Sequence, residues 1–207
     1  EMGLAWTEDE ELLDWHFYGE PVFSWKDGAD WEKGGLYKPD LVEHNGKFYM
    51  FYNAKGKETG YWLEQIGMAV SEDLVNWERV FDKPVLPVDR FSWDSVYAAD
   101  PQVFYDSREE QWVMYYYGYG NLNACNGIAV SKDLFTWKKF PCPILTPGRD
   151  GSIDSRHAHK PYVIFHNNVL YHFYCAVRPY QNGDLTNFNG FFRSITVAAS
   201  KPWKEKK

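Results

Sequence analysis

The stretch "SVYAADPQVF" at residues 95–104 decides the fold, because a related string occurs twice more in the chain. The related strings are "GGLYKPDLV" at 34–42 and "RHAHKPYVI" at 156–164, and each places one residue before a proline and an apolar run after it. That pre-proline residue is Asp100 in one copy, whereas Lys38 and Lys160 take its place in the other two. A sequence that repeats itself at a fixed spacing of about 60 residues predicts a fold built from repeated structural units.

Further short apolar segments follow each copy and repeat in the same order. They are rich in Val, Ile and aromatic residues and are bounded by Gly, Pro, Asn or Asp, which predicts β-strands joined by tight turns. Four antiparallel strands repeated at this length are typical of the blades of a β-propeller. The second-strand segments are "KFYMFYNA" (47–54), "QWVMYYYG" (111–118) and "VLYHFYCA" (169–176), and the segments "IGMAVSEDLVNWERV" (66–80) and "GIAVSKDLFTWKKF" (127–140) supply the third and fourth strands.

The repeat divides the chain into blades of one all-β domain, a β-propeller of the five-bladed type that spans 1–207. We expect a half blade at 1–25 and blades at about 31–89, 93–148 and 153–207, the last without its fourth strand. A closed propeller needs at least about four blades. The sequence is therefore expected to be a C-terminal fragment, or else an open arc of blades that recruits strands from elsewhere.

Composition excludes several classes of partner. The formal net charge is -7, and the one basic tract is the short "KEKK" at 204–207, so nucleic acid is not an expected partner. No apolar run reaches the roughly 18 residues that span a bilayer, so a membrane is not expected either. A secreted or periplasmic location is favoured, and the oligomeric state stays open.

The repeated strings resemble the five-bladed propeller glycoside hydrolases of families 43 and 32. The resemblance rests on "ADPQVFYDSREEQWVMYYYG" at 99–118 and "GIAVSKDLFTW" at 127–137, and it extends over nearly the whole chain. "HAHKP" at 157–161 departs from the family 43 pattern and is closer to the family 117 branch, where a histidine is thought to serve as the acid. The resemblance implies an active site at the mouth of a central channel, with 31–207 as the last three blades. It also implies that a first blade, which supplies a catalytic carboxylate, precedes them.

Asp100 is the nearest match to a catalytic aspartate of this superfamily. A glycosidase needs two carboxylates, roughly 5 to 9.5 Å apart, on either side of the scissile bond. The alternative is structural: proline is tolerated at the first position of a strand, and Asp100 would then be an ordinary strand start. The lysines at the equivalent positions show that the fold does not require an acid there.

Lys38 and Lys160 share the register of Asp100 and are predicted to bind substrate in a common cavity with it. An ammonium group beside Asp100 would keep the carboxylate ionised, which suits a base, a nucleophile or an electrostatic stabiliser. The lysines could instead bind an acidic sugar, or they could be solvated strand starts. Asp40, which follows "KP", and Arg178, at the end of a second strand, are further candidates for contacting substrate.

His157 and His159 flank Ala158, so on a strand their side chains share one face. Such a pair suits general acid catalysis near neutral pH, and packing or hydrogen bonding is the alternative. Two histidines do not by themselves define a zinc site. His172 replaces the methionine of the other two repeats and is expected in the core. Glu32, Asp94 and Asp154 are equivalent acids in the three repeats, and a repeated structural bond is expected of them.

Together these residues predict a glycoside hydrolase that acts on a plant or algal polysaccharide or oligosaccharide. Asp100, His157 and His159 are the predicted catalytic residues. The alternative is a non-catalytic carbohydrate-binding or structural propeller. No organic cofactor and no metal site are assigned, although the resemblance leaves room for a calcium ion in the channel.

Overall fold

A computed structural model describes residues 1–58, 60–120 and 122–201, with the side chain of Glu58 left aside. The chain forms two compact units, Glu1–Pro87 and a second that begins at Val88. Antiparallel β-strands build both units. No helix in the described part of the chain has the length and apolar character needed to cross a membrane.

The first unit contains one sheet with four strands of its own and a small hairpin. The hairpin pairs β1 with β2, and the sheet strands follow the chain in the antiparallel order β3, β4, β5, β6. Two short 3-10 helices, Trp25–Asp27 and Asp30–Glu32, lead into β3. The strands are β1 (Ala5–Trp6), β2 (His16–Phe17), β3 (Gly35–His44), β4 (Lys47–Glu58), β5 (Tyr61–Ser71) and β6 (Glu78–Arg79).

The second unit contains one set of four antiparallel strands and one of three. The first set runs β7 (Tyr97–Asp106), β8 (Gln111–Tyr119), β9 (Ala124–Ser131) and β10 (Lys138–Lys139). The second set runs β11 (His157–His166), β12 (Val169–Pro179) and β13 (Phe191–Ala199). The stretches 31–89 and 93–148 thus each contain four antiparallel strands, and the bounds of the blades stay a prediction. The predicted last blade has three strands among the described residues, and its end at 202–207 lies outside them.

The predicted turns take the expected backbone conformations. Asn45 and Gly46 both have positive φ, as do Asn167 and Asn168, so both hairpins carry the turn that matches the twist of their strands. In the "SEDLVNW" turn, the Ser71 hydroxyl and the Asp73 carboxylate accept hydrogen bonds from backbone N–H groups of residues 73–76. The "SKDLFTW" turn repeats this pattern, which explains why the two strings are alike.

The X-Pro strings do not begin their strands, contrary to the strand-start alternative. Each proline lies inside a ten-residue strand, at a register shift between residues 37 and 40, 99 and 102, or 159 and 162. A bulge leaves one residue without a ladder partner, so a proline that lacks an N–H is accepted there. Lys38, Asp100 and Lys160 have φ values of 51°, 54° and 59°, in the left-handed region that residues other than glycine seldom adopt.

A hydrogen bond between an acid and a tyrosine recurs in all three repeats, buried in the first two and partly buried in the third, and confirms the predicted structural bond. The hydroxyl of Tyr52 donates to Glu32 at 2.6 Å, that of Tyr116 to Asp94 at 3.2 Å, and that of Tyr174 to Asp154 at 2.8 Å. In the first two repeats a cation of the fourth strand joins the pair, Arg79 on Glu32 and Lys139 on Asp94. The acid thereby ties the segment before the first strand to the second and fourth strands.

In the first two repeats the tyrosine ring of this motif lies against a glycine of the third strand, whereas Thr196 lies opposite Tyr174 in the third repeat. Tyr52 lies opposite Gly67 and Tyr116 opposite Gly127, and a Cβ atom at Gly67 would lie 2.3 Å from the Tyr52 ring. Burial is the first cause that raises the pKa of Tyr116, and the Asp94 carboxylate raises it further. The phenol therefore stays protonated and remains a hydrogen-bond donor.

We expect Tyr116→Phe to lower the free energy of unfolding by about 1–3 kcal/mol, because a buried carboxylate loses one of its partners. Urea denaturation measures the change. Tyr162→Phe is the matched control. Because Tyr162 is 57% exposed on β11, this substitution should leave the free energy of unfolding almost unchanged. Equal stability of the Tyr116 and Tyr162 variants would contradict a structural role for the bond.

A second buried polar pair joins the two sheets of the second unit. The amide Nδ2 of Asn126 on β9 lies 3.2 Å from Nε2 of His172 on β12, and both side chains are buried. Burial lowers the pKa of His172 to about 4, so the ring is neutral and Nε2 accepts the bond. The predicted core position of His172 is confirmed. In sequence, Asn126 and His172 correspond to Ile66 and Met50 of the first repeat.

We expect Asn126→Ile and His172→Met each to destabilise the protein by about 1–3 kcal/mol, because each leaves a buried polar group unpaired. The double variant removes both groups and should recover most of that loss. Urea denaturation of the four proteins measures the coupling. Strictly additive losses would show that the two side chains do not depend on one another.

Candidate active site

The candidate site lies in the second unit, where the starts of β7 and β11 come together. Ala99 on β7 and Tyr117 on β8 are directly opposite one another, and both are buried in a small cluster with Ala124. Small alanines at this end of β7 and β11 let the two sheets approach closely, since Ala99 and Ala158 have no exposed surface. The bulges then turn the neighbouring pre-proline side chains out of the regular alternation of the strands.

Asp100 and Lys160 form an ion pair across the two sheets. The Lys160 Nζ atom donates to Oδ2 of Asp100 at 3.2 Å, and the carboxylate side chain is only 10% exposed. The same ammonium lies 5.4 Å from the centre of the Tyr117 ring, close enough for a cation–π interaction. The structure thus brings Asp100 and Lys160 together, as the shared-cavity hypothesis requires.

His159 is buried beside this pair and has an unsatisfied nitrogen. Its ring meets Tyr117 edge to face at 5.5 Å, and the residue is 7% exposed. No group in the described part of the protein lies within hydrogen-bond distance of the buried Nδ1 atom. A buried polar atom without a partner costs free energy, so native proteins keep few of them outside functional sites. Nδ1 of His159 is therefore a candidate contact for a ligand.

His157 shares the face of His159, as predicted from their spacing. The two ring centroids are 5.9 Å apart, and Nδ1 of His157 accepts a hydrogen bond from the backbone N–H of Ala124 at 3.0 Å. This bond places the proton of the neutral ring on Nε2. The ring also lies against Tyr119 at 6.2 Å and Phe191 at 6.3 Å, which continues the aromatic surface away from Asp100.

The pKa values of both histidines are lowered, which favours the neutral rings at physiological pH, and the general-acid role expected of them stays a prediction. Burial, followed by the charge of Lys160, lowers the pKa of His159 to about 3. Burial, followed by the charges of Arg156 and Arg193, lowers the pKa of His157 to about 4. A general acid works best with a pKa near the working pH, and these two pKa values lie below it. In this state the rings can donate or accept hydrogen bonds and thereby orient a sugar.

The other predicted site residues lie in different surroundings. Arg178 makes a bidentate ion pair with Asp184 at the end of β12 and also covers the Phe192 ring, so it holds the connection between β12 and β13. Lys38 and Asp40 belong to β3 of the first unit, at the bulge of that strand. By register, Asp40 corresponds to Gln102 of β7. The substrate contacts predicted for Lys38, Asp40 and Arg178 stay predictions.

Metal ligands are sparse around the Asp100–Lys160 pair. In the described ranges no group of three or more His, Cys, Asp and Glu side chains is placed to hold a metal ion. Calcium takes six to eight oxygen ligands, whereas the ion-pair partner of Asp100 in the second unit is the Lys160 ammonium. The cofactor assignment stays a prediction.

Tyr117 contacts both Lys160 and His159, and the predicted site residues did not include it. A signal was present in the sequence, because the repeats align Tyr117 with Asn53 and Cys175, and a position that differs in every repeat is not fixed by the shared fold. The same comparison of equivalent positions that identifies Asp100 therefore identifies Tyr117 as well. Tyr117 was not predicted as a site residue because aromatic residues on second strands are expected to pack between blades.

The fold and this site define a carbohydrate-active class of protein. The family model of the glycosyl hydrolases family 32 N-terminal domain matches residues 39–197, and the chain belongs to that family. The predicted fold class and superfamily, all-β and a β-propeller of glycoside hydrolase type, are thereby confirmed.

Individual relatives agree with this family. The beta-1,2-mannobiose phosphorylase of Thermoanaerobacter sp. (strain X514) is 29% identical over 165 residues, which cover 72% of this chain and 53% of the relative. A solved structure of an RGII complex of BT0996 is 31% identical with a TM-score of 0.79, over 97% of this chain and 56% of that protein. The chain thus spans about half the length of these relatives.

The family 117 branch is represented by a structural neighbour. The family 117 glycoside hydrolase Zg3597, from the marine bacterium Zobellia galactanivorans, has a TM-score of 0.65 and is 16% identical, over 84% of this chain and 55% of that one. At this identity the likeness shows the common fold alone.

Acid should destabilise the protein through its buried histidines. The folded-state pKa values of His157, His159 and His172 lie at about 4, 3 and 4, below the ordinary value of 6.5. Between these values the unfolded chain binds more protons than the folded one. The stabilisation is therefore complete above pH 6.5 and is lost as pH falls through about 4.

We expect the free energy of unfolding to fall between pH 7.5 and pH 4.5, and the Asn126→Ile/His172→Met variant to show a shallower fall because it lacks one of these histidines. Urea denaturation across this range measures the slope. The exposed His166 provides the control, since His166→Gln should leave the slope unchanged. If the free energy of unfolding of the double variant fell as steeply with pH as that of the unaltered protein, His172 would have the same pKa in the folded and unfolded states.

Proposed function

We propose that the protein is a glycoside hydrolase that cleaves glycosidic bonds in a plant or algal polysaccharide or oligosaccharide. The observation that best supports this function is the buried Asp100 carboxylate, which Lys160 holds beside the unpartnered Nδ1 of His159. Family membership supports the reaction class, and the relative described in an RGII complex supports an oligosaccharide substrate.

In this proposal the Asp100 carboxylate acts on the anomeric carbon of the sugar. An oxocarbenium-like transition state develops positive charge at the anomeric carbon, and a carboxylate on that side stabilises it or attacks it. Lys160 holds the carboxylate through the hydrogen-bonded ion pair, and its contact with Tyr117 limits the orientations of the ammonium group. His159 and His157, both neutral, hydrogen-bond sugar hydroxyls and so fix the ring relative to Asp100.

A second carboxylate is needed to protonate the leaving-group oxygen. In the second unit Asp100 pairs with Lys160, and its charge also acts on the His159 ring. We assign the acid to a carboxylate of another blade, as the resemblance to the glycoside hydrolases implies. This division agrees with the expectation that a different blade supplies one catalytic carboxylate. Both carboxylates then face the same sugar from separate strands.

Phosphorolysis is the second candidate, favoured by positive charge around the histidines. The positive charges of Arg156 and Arg193 lower the pKa of His157, and the charge of Arg193 also lowers that of His159. An excess of cations beside a neutral sugar site suits an anionic nucleophile such as phosphate. A relative of this chain is a beta-1,2-mannobiose phosphorylase. In this variant phosphate replaces water and the product is a sugar 1-phosphate.

The two candidates differ in their products. The protein would be incubated with a panel that includes β-1,2-mannobiose and RGII oligosaccharides, with and without inorganic phosphate. Release of free reducing sugar without phosphate supports hydrolysis, whereas phosphate-dependent formation of sugar 1-phosphate supports phosphorolysis. Cleavage of no glycan by either route would leave a non-catalytic carbohydrate-binding propeller.

Asp100→Asn should lower turnover by roughly 10² or more on any substrate that the panel identifies, because the amide cannot carry the negative charge. The measurement is kcat on the complete protein, with circular dichroism to establish that the variant folds. Asp150→Asn, on an exposed loop of the same unit, is the matched control and should retain full activity. A loss of only a few-fold for Asp100→Asn would show that its carboxylate takes no direct part.

A further inference from the structure

The second unit has a cavity that the proposed catalytic site does not use. It lies between the sheets of β7–β8–β9 and β11–β12, at the opposite end of β7 and β11 from Asp100, and its volume is about 570 Å³. Binding sites for small molecules have volumes of roughly 300–1,000 Å³. We call it the aromatic cavity, and the residues that define it here are Phe104, Tyr115, Val130, Val163 and Phe165.

Gln102 separates the aromatic cavity from the Asp100 site. Its side-chain Nε2 donates to the carbonyl of Val163 at 3.0 Å, and its Oε1 accepts from the N–H of Val163 at 2.6 Å. The amide group therefore pairs with β11 as a strand backbone would and fixes the distance between the sheets. Both amide atoms are used in this pairing, so a ligand in the cavity meets the apolar part of Gln102.

The inner surface of the aromatic cavity is apolar and ordered. Val113, Tyr115 and Val163 are buried together, and Phe104, Ile128, Val130 and Leu170 pack around them. The Phe104 and Tyr115 rings are stacked, with centroids 6.0 Å apart and planes within 18°. The space is open to solvent on one side, and its apolar lining with a stacked ring pair suits an aromatic molecule.

The mouth of the aromatic cavity carries charges that are already paired. Arg108 binds the Asp106 carboxylate through Nε at 3.1 Å and through its terminal nitrogen at 3.2 Å. The same guanidinium group covers the Phe165 ring at 5.2 Å, and Phe165 remains 51% exposed. Since the two charges cancel, a charged ligand gains little here, whereas a hydroxyl group can exchange hydrogen bonds with the pair.

We propose that the aromatic cavity binds an uncharged, planar aromatic molecule with a hydroxyl group, that is, a ligand of the phenolic class. The rings stack between Phe104 and the aliphatic wall of β9, and the hydroxyl group lies at the mouth beside Asp106 and Arg108. Binding is independent of Asp100, because Gln102 and Val163 lie between the two sites. The proposal therefore stands or fails separately from the glycosidase function.

The test uses 2-naphthol, which is uncharged at pH 7, titrated into the protein by isothermal calorimetry. We expect saturable binding of one molecule per chain with a dissociation constant of about 10⁻⁴ M, the range for a small apolar ligand. Val130→Phe fills the cavity wall and should weaken binding at least tenfold. Val197→Phe makes the same chemical change on β13, away from the cavity, and should bind as the unaltered protein does.

Two further measurements guard against misfolding and non-specific binding. Phe165→Ala alters the exposed mouth, so it should fold normally and still bind more weakly, while Asp100→Asn should bind normally. The charged analogue 2-naphthalenesulfonate should bind at least tenfold more weakly than 2-naphthol. Absence of saturable binding, equal effects of the Val130 and Val197 substitutions, or equal affinity for the sulfonate would each overturn the proposal.

Discussion

The bond between an acid and a tyrosine, buried in the first two repeats and partly buried in the third, is the interaction on which each repeat depends. Glu32, Asp94 and Asp154 precede a first strand, and each accepts a hydrogen bond from the tyrosine of the second strand. A buried carboxylate is stable only when it is paired and hydrogen-bonded. The chain therefore has to bring the entry segment and the second strand to one point, and in the first two repeats a cation of the fourth strand joins them. In these two repeats the pairing of the carboxylate thus links the segment before the first strand to the fourth strand.

This frame supports the strained backbone at the pre-proline positions. A non-glycine residue in the left-handed region costs of order 1–3 kcal/mol and persists only where its surroundings enforce it. The register on both sides of Asp100 is fixed by pairing with β8, and the same holds for Lys160 and β12. The side chains that form the candidate site are thus presented by regular strands, which hold a geometry more tightly than loops do.

Much of this architecture follows from local patterns in the sequence. Repetition, strand composition and the Asn-Gly and Asn-Asn turns predict the hairpins, and the equivalent acids predict a repeated bond. The bulges do not follow, because a residue before proline is ordinarily extended and nothing local indicates the opposite sign of φ at Asp100. The neutral state of His159 does not follow either, since it depends on burial between two sheets that are far apart in sequence.

The candidate site was predictable in part. The contrast between Asp100 and Lys160 identified two side chains that the structure places in contact, because a residue that varies among equivalent repeats is free of the common structural demand. Tyr117 meets the same criterion. By contrast, Arg178 could not be assigned from the strand pattern, because its ion pair with Asp184 depends on the course of a long connection.

The bulge at the pre-proline position has a consequence for how such proteins diversify. Aspartate and lysine occupy the same left-handed backbone at 38, 100 and 160, so the main chain accepts either sign of charge without changing its course. A duplicated blade can therefore acquire a new polarity at this position through substitution of one residue, while its scaffold is inherited intact. Each repeat thus presents one position that accepts different side chains, and the charge of the site depends on the residues at 38, 100 and 160.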